Sequence, residues 1–254
     1  MKKILAVANQ KGGVGKTTLA AHLAMFASEM KKKTLIIDLD EGDLSILFPP
    51  VDRLLEGVGY FFHSSDLFLD KSAKEIRAIS EYLHIIESDL ALLDVDENGE
   101  MRLRNTLRKK PFTDYDCIII DTPPNLQWKT IAALTAADAV VTPYGVSPLA
   151  LARLPKLNRT VRAVQRKSNP DLKHIGFFAM RINARSTNEL QVVKALQSSN
   201  ENYFSFYTTE RACVPMSAAQ RAPVWDGKRS NSQVVAGQEM RAICKKVFTL
   251  LDKE

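Results

Sequence analysis

Cysteine is scarce in this 254-residue chain: three residues, Cys117, Cys213 and Cys244, lie far apart with no C-x-x-C pair. That spacing argues against both a disulfide framework and a cysteine metal centre, and all three are expected to be small buried residues. No apolar run approaches the roughly 20 residues needed to cross a bilayer. The basic start Met1-Lys2-Lys3 leads into a strand-like run too short for a secretory signal core, so a cytoplasmic protein is expected. Aromatics make up only 7% of the chain, but 45% hydrophobic and 25% charged residues sit near the globular average. That is enough for one large α/β domain over 1–254. The formal net charge is +6, and its distribution is uneven. Lys and Arg concentrate in 153–173 and 211–246 while Asp and Glu crowd 38–56 and 87–100, which points one end toward a polyanion such as nucleic acid.

What is present begins at Asn9-Gln10-Lys11-Gly12-Gly13-Val14-Gly15-Lys16-Thr17-Thr18, between an apolar strand pattern (Ile4 to Ala8) and a helical one (Leu19 to Met30). A glycine-rich turn there aims backbone N–H groups and the positive end of a helix dipole at one spot, which suits a polyphosphate. Lys16 is then placed to meet the β/γ-phosphates and Thr17 the magnesium ion, with Gly12 through Thr18 cradling the nucleotide. The ordinary P-loop pattern requires Gly where Gln10 stands, and Lys11-Gly12-Gly13 replaces it.

Apolar β-rich runs alternate with helical patterns along the chain. Strands are expected near 3–8, 34–38, 83–87, 116–121, 138–143 and 174–180, and helices near 17–30, 126–137, 149–167 and 187–198. This alternation predicts an α/β fold, a mostly parallel twisted sheet with helices on both faces. Continuous apolar runs such as Cys117-Ile118-Ile119-Ile120 fit strands buried on both sides, and ligand chemistry collects at the C-terminal ends of such strands. Two of those ends carry carboxylates: Leu35-Ile36-Ile37-Asp38-Leu39-Asp40 and Ile118-Ile119-Ile120-Asp121-Thr122-Pro123-Pro124. A hard cation bound with phosphate is commonly held by one or two carboxylates, which makes Asp121 a candidate magnesium ligand acting through water. Strand alternation lets Asp38 and Asp40 line one pocket, with Leu39 facing the other way.

Lys-Gly-Gly-Val-Gly-Lys-Thr resembles the deviant Walker A motif of the ParA/MinD family of ATPases, a likeness closest to the short, Soj-like partition ATPases. The resemblance implies ATP and Mg2+ as ligands and an ATP-bound homodimer in which Lys11 reaches the nucleotide of the partner subunit. It further implies that Asp40 orients the attacking water and that Asp38 supports the magnesium shell. Many relatives follow the D-x-D pair with Pro-Gln, where this chain has Glu41-Gly42. The segment from Asn125 to Pro143 resembles the family's switch II, helix and next strand. Asn183 stands where several relatives contact adenine, and Cys213-Val214-Pro215 resembles the segment that covers the base. The strand leading into the P-loop begins at residue 3, which fits the short type without an N-terminal operator-binding region.

Three function classes follow from the resemblance. A metal-cluster carrier requires closely placed cysteines, which this chain lacks. A membrane-associated positioning ATPase of the MinD type requires a terminal amphipathic helix; Gln233 to Leu251 has an apolar stripe, expected instead to pack on the sheet. A partition or positioning ATPase would bind DNA without sequence preference and release it when a ParB-like partner stimulates hydrolysis. For that role Lys228 and Arg229, before the last helix, are the first candidates for DNA contact, with Arg221, Arg241, Lys245 and Lys246 as companions. The aromatic cluster between Ser45 and Tyr82 reads as core.

Overall fold

The computed structural model describes residues 2–40, 43–48, 61–69, 75–96, 99–199, 202–226 and 230–252. Its strands are β1 (Lys3–Val7), β2 (Thr34–Asp38), β3 (Arg77–Ser80), β4 (Leu83–Ile86), β5 (Cys117–Asp121), β6 (Ala139–Tyr144), β7 (Lys173–Ile182) and β8 (Tyr203–Thr209). They form one sheet in the order β3-β4-β2-β5-β1-β6-β7-β8. Every neighbouring pair is parallel except the edge hairpin of β3 with β4. Strands β2 and β5 are buried along their whole length, as uninterrupted Ile-rich runs between two helical layers should be.

The helices are α1 (Lys16–Glu29), α2 (Asp43–Leu47), α3 (Asp66–Leu69), α4 (Glu100–Leu107), α5 (Trp128–Ala136), α6 (Pro148–Leu151), α7 (Leu154–Lys167), α8 (Thr187–Ser199), α9 (Cys213–Ala219) and α10 (Asn231–Leu251). Alternation along β1 sends Leu5 and Val7 to one face, where Leu23 and Phe26 of α1 meet Met240, Ile243 and Val247 of α10. Ile4 and Ala6 face the other layer, formed by Leu103 and Leu107 of α4, Ala132 and Leu134 of α5, and Leu157 and Val161 of α7. Most of the apolar stripe of α10 is therefore spent on the core, with Met240, Ile243 and Val247 fully buried, whereas Val234 in its first turn is exposed. Among the described residues no helix is long and apolar enough to cross a membrane.

Several elements depart from expectation. The helix expected over 149–167 divides into α6 and α7, because Pro155 lacks the N–H that a continuous helix would use and is accommodated only in the first turn of a new one. Elements not foreseen include α4, where only Leu103 and Leu107 are buried among charged neighbours, the four-residue edge strand β3, the seven-residue edge strand β8 and the short helix α9. Cys117 and Cys244 are buried, whereas Cys213 is only half-buried. Phe62, Leu67 and Phe68 enter the core, and Phe68 meets Trp128 edge to face at 5.2 Å. Tyr60, Pro49 and Pro50 lie outside the described residues.

Candidate nucleotide-binding site

Three adjacent strands end level with one another: Val7 of β1 pairs with Asp121 of β5, which pairs with Asp38 of β2. This register gathers the phosphate-binding loop and both carboxylate-bearing strand ends at one rim of the sheet. The loop is anchored at its start, where Asn9 Nδ2 donates to the Pro143 carbonyl at 2.6 Å and Asn9 Oδ1 accepts from the Lys11 N–H at 3.0 Å. Gly13 and Gly15 then adopt φ of 73° and 93°, a left-handed region that suits glycine and turns the chain into α1. A Cβ on Gly15 would also lie 3.2 Å from Met180 Cε. Lys16, in the first turn of α1, is 5% exposed. Lys11 Nζ donates to Ser147 Oγ at 2.8 Å, and Arg153 Nη1 donates to the Gln10 carbonyl at 3.3 Å, so the segment around α6 braces the loop from outside.

Asp121 is fully buried, and neither carboxylate oxygen has a partner in hydrogen-bonding geometry. Burial first, and then the neighbouring Asp38 carboxylate, push its pKa well above the usual carboxylate range. The Thr17 hydroxyl and the Lys16 ammonium oppose that shift. Lys16 and Thr17 do not offset the burial of this carboxylate beside Asp38, and a divalent cation beside Thr17 would do so. The donor set of Asp121 and Thr17, hard oxygens beside a phosphate cradle, fits magnesium. Asp38 is also fully buried, but its Oδ1 accepts from the Asp40 N–H at 2.9 Å and its Oδ2 from the Leu44 N–H at 3.1 Å. It thereby fixes the turn that carries Asp40 into the cavity. Glu41 and Gly42 lie outside the described residues.

A cavity of about 490 Å³ opens over the loop. Its floor is Gly12, Gly13, Gly15, Lys16, Thr17 and Thr18, with Asp40 and Pro124 at one side. Its opposite wall comes from Met180 and Arg181 of β7, the stretch from Thr208 to Ala212, and Val214 and Pro215 of α9. Pro215 lines this wall, whereas Val14 is buried and Asn183 is not among the lining residues. Asn183 is exposed past the end of β7, and its Oδ1 accepts from the Arg185 N–H at 3.0 Å, closing a local turn. Arg181, which the sequence reading missed, takes the position over the loop instead. Its Nη1 donates to the Gly13 carbonyl at 2.7 Å and its Nη2 meets Glu210 Oε1 at 2.5 Å. Its φ of 59° is unusual for a side-chain-bearing residue, a strain typical of functional positions. The signal that could have found this wall is the rule that parallel strands present ligands at their C-terminal ends, applied to β7 and to the β-favouring run Tyr203–Thr209.

Lys228 and Arg229 lie outside the described residues. Of their companions, Arg241 is engaged: its Nη2 meets Glu29 Oε2 at 3.0 Å and its guanidinium lies 5.4 Å from the Trp225 ring centroid. Lys245 is exposed, and Lys246 lies 5.9 Å from the Phe204 ring centroid. The segment before Gly227 is tied to the nucleotide-binding helix. His22, fully buried in α1, accepts at Nε2 from the Val224 N–H at 3.2 Å, while Nδ1 lies 2.7 Å from the Thr18 carbonyl and must carry the proton. Burial lowers its pKa to about 4.

Comparison with known proteins agrees with this geometry. Residues 2–174 match the family model described as an AAA domain. The chain is 34% identical over 204 residues to the chromosome partitioning protein ParA of Myxococcus xanthus, covering 77% of this chain and 70% of that one. It is 32% identical over 207 residues to the sporulation initiation inhibitor protein Soj of Bacillus subtilis, covering 78% and 79%. Among solved structures it superposes on cobyrinic acid a,c-diamide synthase of Mycobacterium smegmatis, crystallised with ADP and magnesium, with a TM-score of 0.75 and 26% identity over 98% of this chain and 96% of that one. With its deviant phosphate loop, its level carboxylate strand ends and these relatives together, the chain belongs to the ParA/Soj family of P-loop ATPases.

Proposed function

We propose that this protein is a DNA-partitioning or positioning ATPase that binds ATP and Mg2+, dimerises around the nucleotide, holds DNA without sequence preference and releases it on hydrolysis. The observation that carries the reading is Asp121, buried with two unpartnered oxygens beside Thr17 and Lys16 at the rim of a phosphate cradle. Magnesium, when bound, neutralises charge on the phosphates and polarises the γ-phosphoryl group. Asp121 and Thr17 hold it, Asp38 keeps the supporting turn in place, and Lys16 neutralises the transferred phosphoryl oxygens. Asp40, at the cavity edge, orients the attacking water, and its contribution is positioning rather than covalent chemistry. Lys11 leaves Ser147 to reach the nucleotide of the partner subunit, so loss of the γ-phosphate loosens the dimer. Val214 and Pro215 close over the base. A ParB-like activating partner sets the timing, and the protein is cytoplasmic and nucleoid-associated while ATP is bound.

The reading is tested with Asp40→Ala protein, ATP and magnesium, presented in parallel with random-sequence duplex DNA and with anionic liposomes at two salt concentrations. ATP-dependent, salt-sensitive DNA binding that Lys228→Glu/Arg229→Glu removes is the expected result. Liposome binding without DNA binding would replace it with a membrane-positioning ATPase.

A further inference from the structure

Between Asp138 and Asp171 the chain carries no acidic residue, yet six Lys and Arg: Arg153, Lys156, Arg159, Arg162, Arg166 and Lys167. Five of these sit on α7, which buries Leu154, Leu157, Val161 and Val164 against the sheet. Helical spacing sends Lys156, Arg159, Arg162, Arg166 and Lys167 to the opposite side, where all five are exposed. None of the five makes an ion pair with a described residue. By contrast, exposed Arg102, Arg181 and Arg241 each have a carboxylate partner.

We infer that the outer face of α7 is a second nucleic-acid contact surface, one that grips the phosphate backbone of a DNA duplex. The inference rests on the DNA-binding reading above and adds a surface remote in sequence from Lys228 and Arg229. The occupant follows from the character of the stripe. From Lys156 to Arg166 the helix rises about 15 Å, and a duplex carries one phosphate charge per about 1.7 Å of its axis, so a rigid row of cations meets a dense row of anions. A specific acidic peptide would need apolar or aromatic anchors between the charges. The exposed part of α7 offers no large apolar side chain among the described residues. The helix also begins where the segment bracing the phosphate loop ends, through Arg153 on Gln10 and Ser147 on Lys11. A rearrangement of the loop on nucleotide binding therefore has a direct route to the stripe.

The test compares full-length wild type with Arg159→Gln/Arg162→Gln/Arg166→Gln, in ATP and magnesium, by anisotropy of a random-sequence duplex over a salt series. Each neutralised phosphate contributes about 0.9 to the slope of log affinity on log salt. The variant should lose about tenfold or more in affinity at low salt and flatten the slope by roughly 2 to 3 per protomer, with nucleotide affinity unchanged. In wild type, the duplex should protect Lys156 and Lys167 from acetylation while Lys194 on α8 stays reactive. Wild type that binds DNA, with a variant of unchanged slope, overturns this inference alone. The same holds if the stripe's loss weakens binding only to polyglutamate or to anionic vesicles. Wild type that never binds DNA overturns both this inference and the reading beneath it.

Discussion

The two walls of the nucleotide cavity are built by opposite means. The floor is local: Asn9 ties the loop to Lys11 two residues on, Gly13 and Gly15 turn it, and Asp38 folds back onto the N–H groups of Asp40 and Leu44. The facing wall is assembled from distant parts of the chain. Arg181 reaches Gly13, and Glu239 of α10 clamps Thr209 through the Thr209 N–H and hydroxyl at 2.8 to 3.1 Å, while behind the cavity the Val224 N–H donates to His22 of α1. The chemistry of phosphate and metal fixes residue types at short spacing. A wall whose task is to cover a ligand needs only packing and side chains of sufficient reach.

If the floor alone supplies phosphate affinity, Lys16→Ala should cost about 100-fold or more in ATP binding, as expected when a buried cation is removed from its anion. Fluorescent-nucleotide titration measures this, and near-normal affinity would break the division between floor and wall. The buried contact that ties α1 to the segment before the last helix should instead show itself in pH-dependent stability. His22 is neutral in the fold with a pKa of about 4, against 6.5 when free. Between those values the unfolded chain takes up the proton and the folded one does not. His22 therefore contributes full stability above pH 6.5, and that contribution is lost as pH falls toward 4, at up to about 1.4 kcal/mol per pH unit. Denaturant unfolding across this range should show the decline; burial lowers His174 to about 4 as well, so His22→Gln should remove only part of it.

Asp121→Asn sharpens the comparison from the floor side. Removing an unpartnered buried charge should stabilise the nucleotide-free protein by about 1 to 3 kcal/mol while abolishing the magnesium dependence of ATP binding. Calorimetry with and without magnesium reads both effects, and a destabilised apo protein would contradict the account of Asp121. The smallest effect on nucleotide binding is expected at Gly237 in α10, where an added Cβ would come within 2.8 Å of Trp225 Cα. Gly237→Ala should lower unfolding free energy by about 1 to 3 kcal/mol through overpacking and leave phosphate affinity intact. A loss of nucleotide binding there would mean that packing behind the cavity also shapes the floor.

This difference explains what was legible in the sequence. The phosphate loop and the two carboxylate strand ends could be read directly, because Ile-rich strands ending in Asp and a glycine turn entering a helix are set by contiguous residues. The alternation of strands and helices gave the parallel sheet for the same reason. Arg181 was hidden because nothing in Met180-Arg181-Ile182 reveals that the chain turns left-handed there and throws the guanidinium over Gly13. Asn183, two residues on, had the expected chemistry but spends its carbonyl on the Arg185 N–H. The break between α6 and α7 was written in Pro155, yet the apolar pattern running through it masked the interruption. Strand β8, by contrast, carried a legible signal, since six of the seven residues of Tyr203–Thr209 are β-favouring Tyr, Phe or Thr, and its place beside β7 is set by a pairing the run itself does not reveal.

The most direct test of the central claim is the mass of the protein in solution, by light scattering, for wild type and Asp40→Ala in ATP with magnesium and in ADP with magnesium. The account predicts a persistent twofold mass for Asp40→Ala in ATP, a wild-type dimer that decays as ATP is consumed, and monomers of both in ADP. Equal mass in ATP and ADP for Asp40→Ala would contradict it.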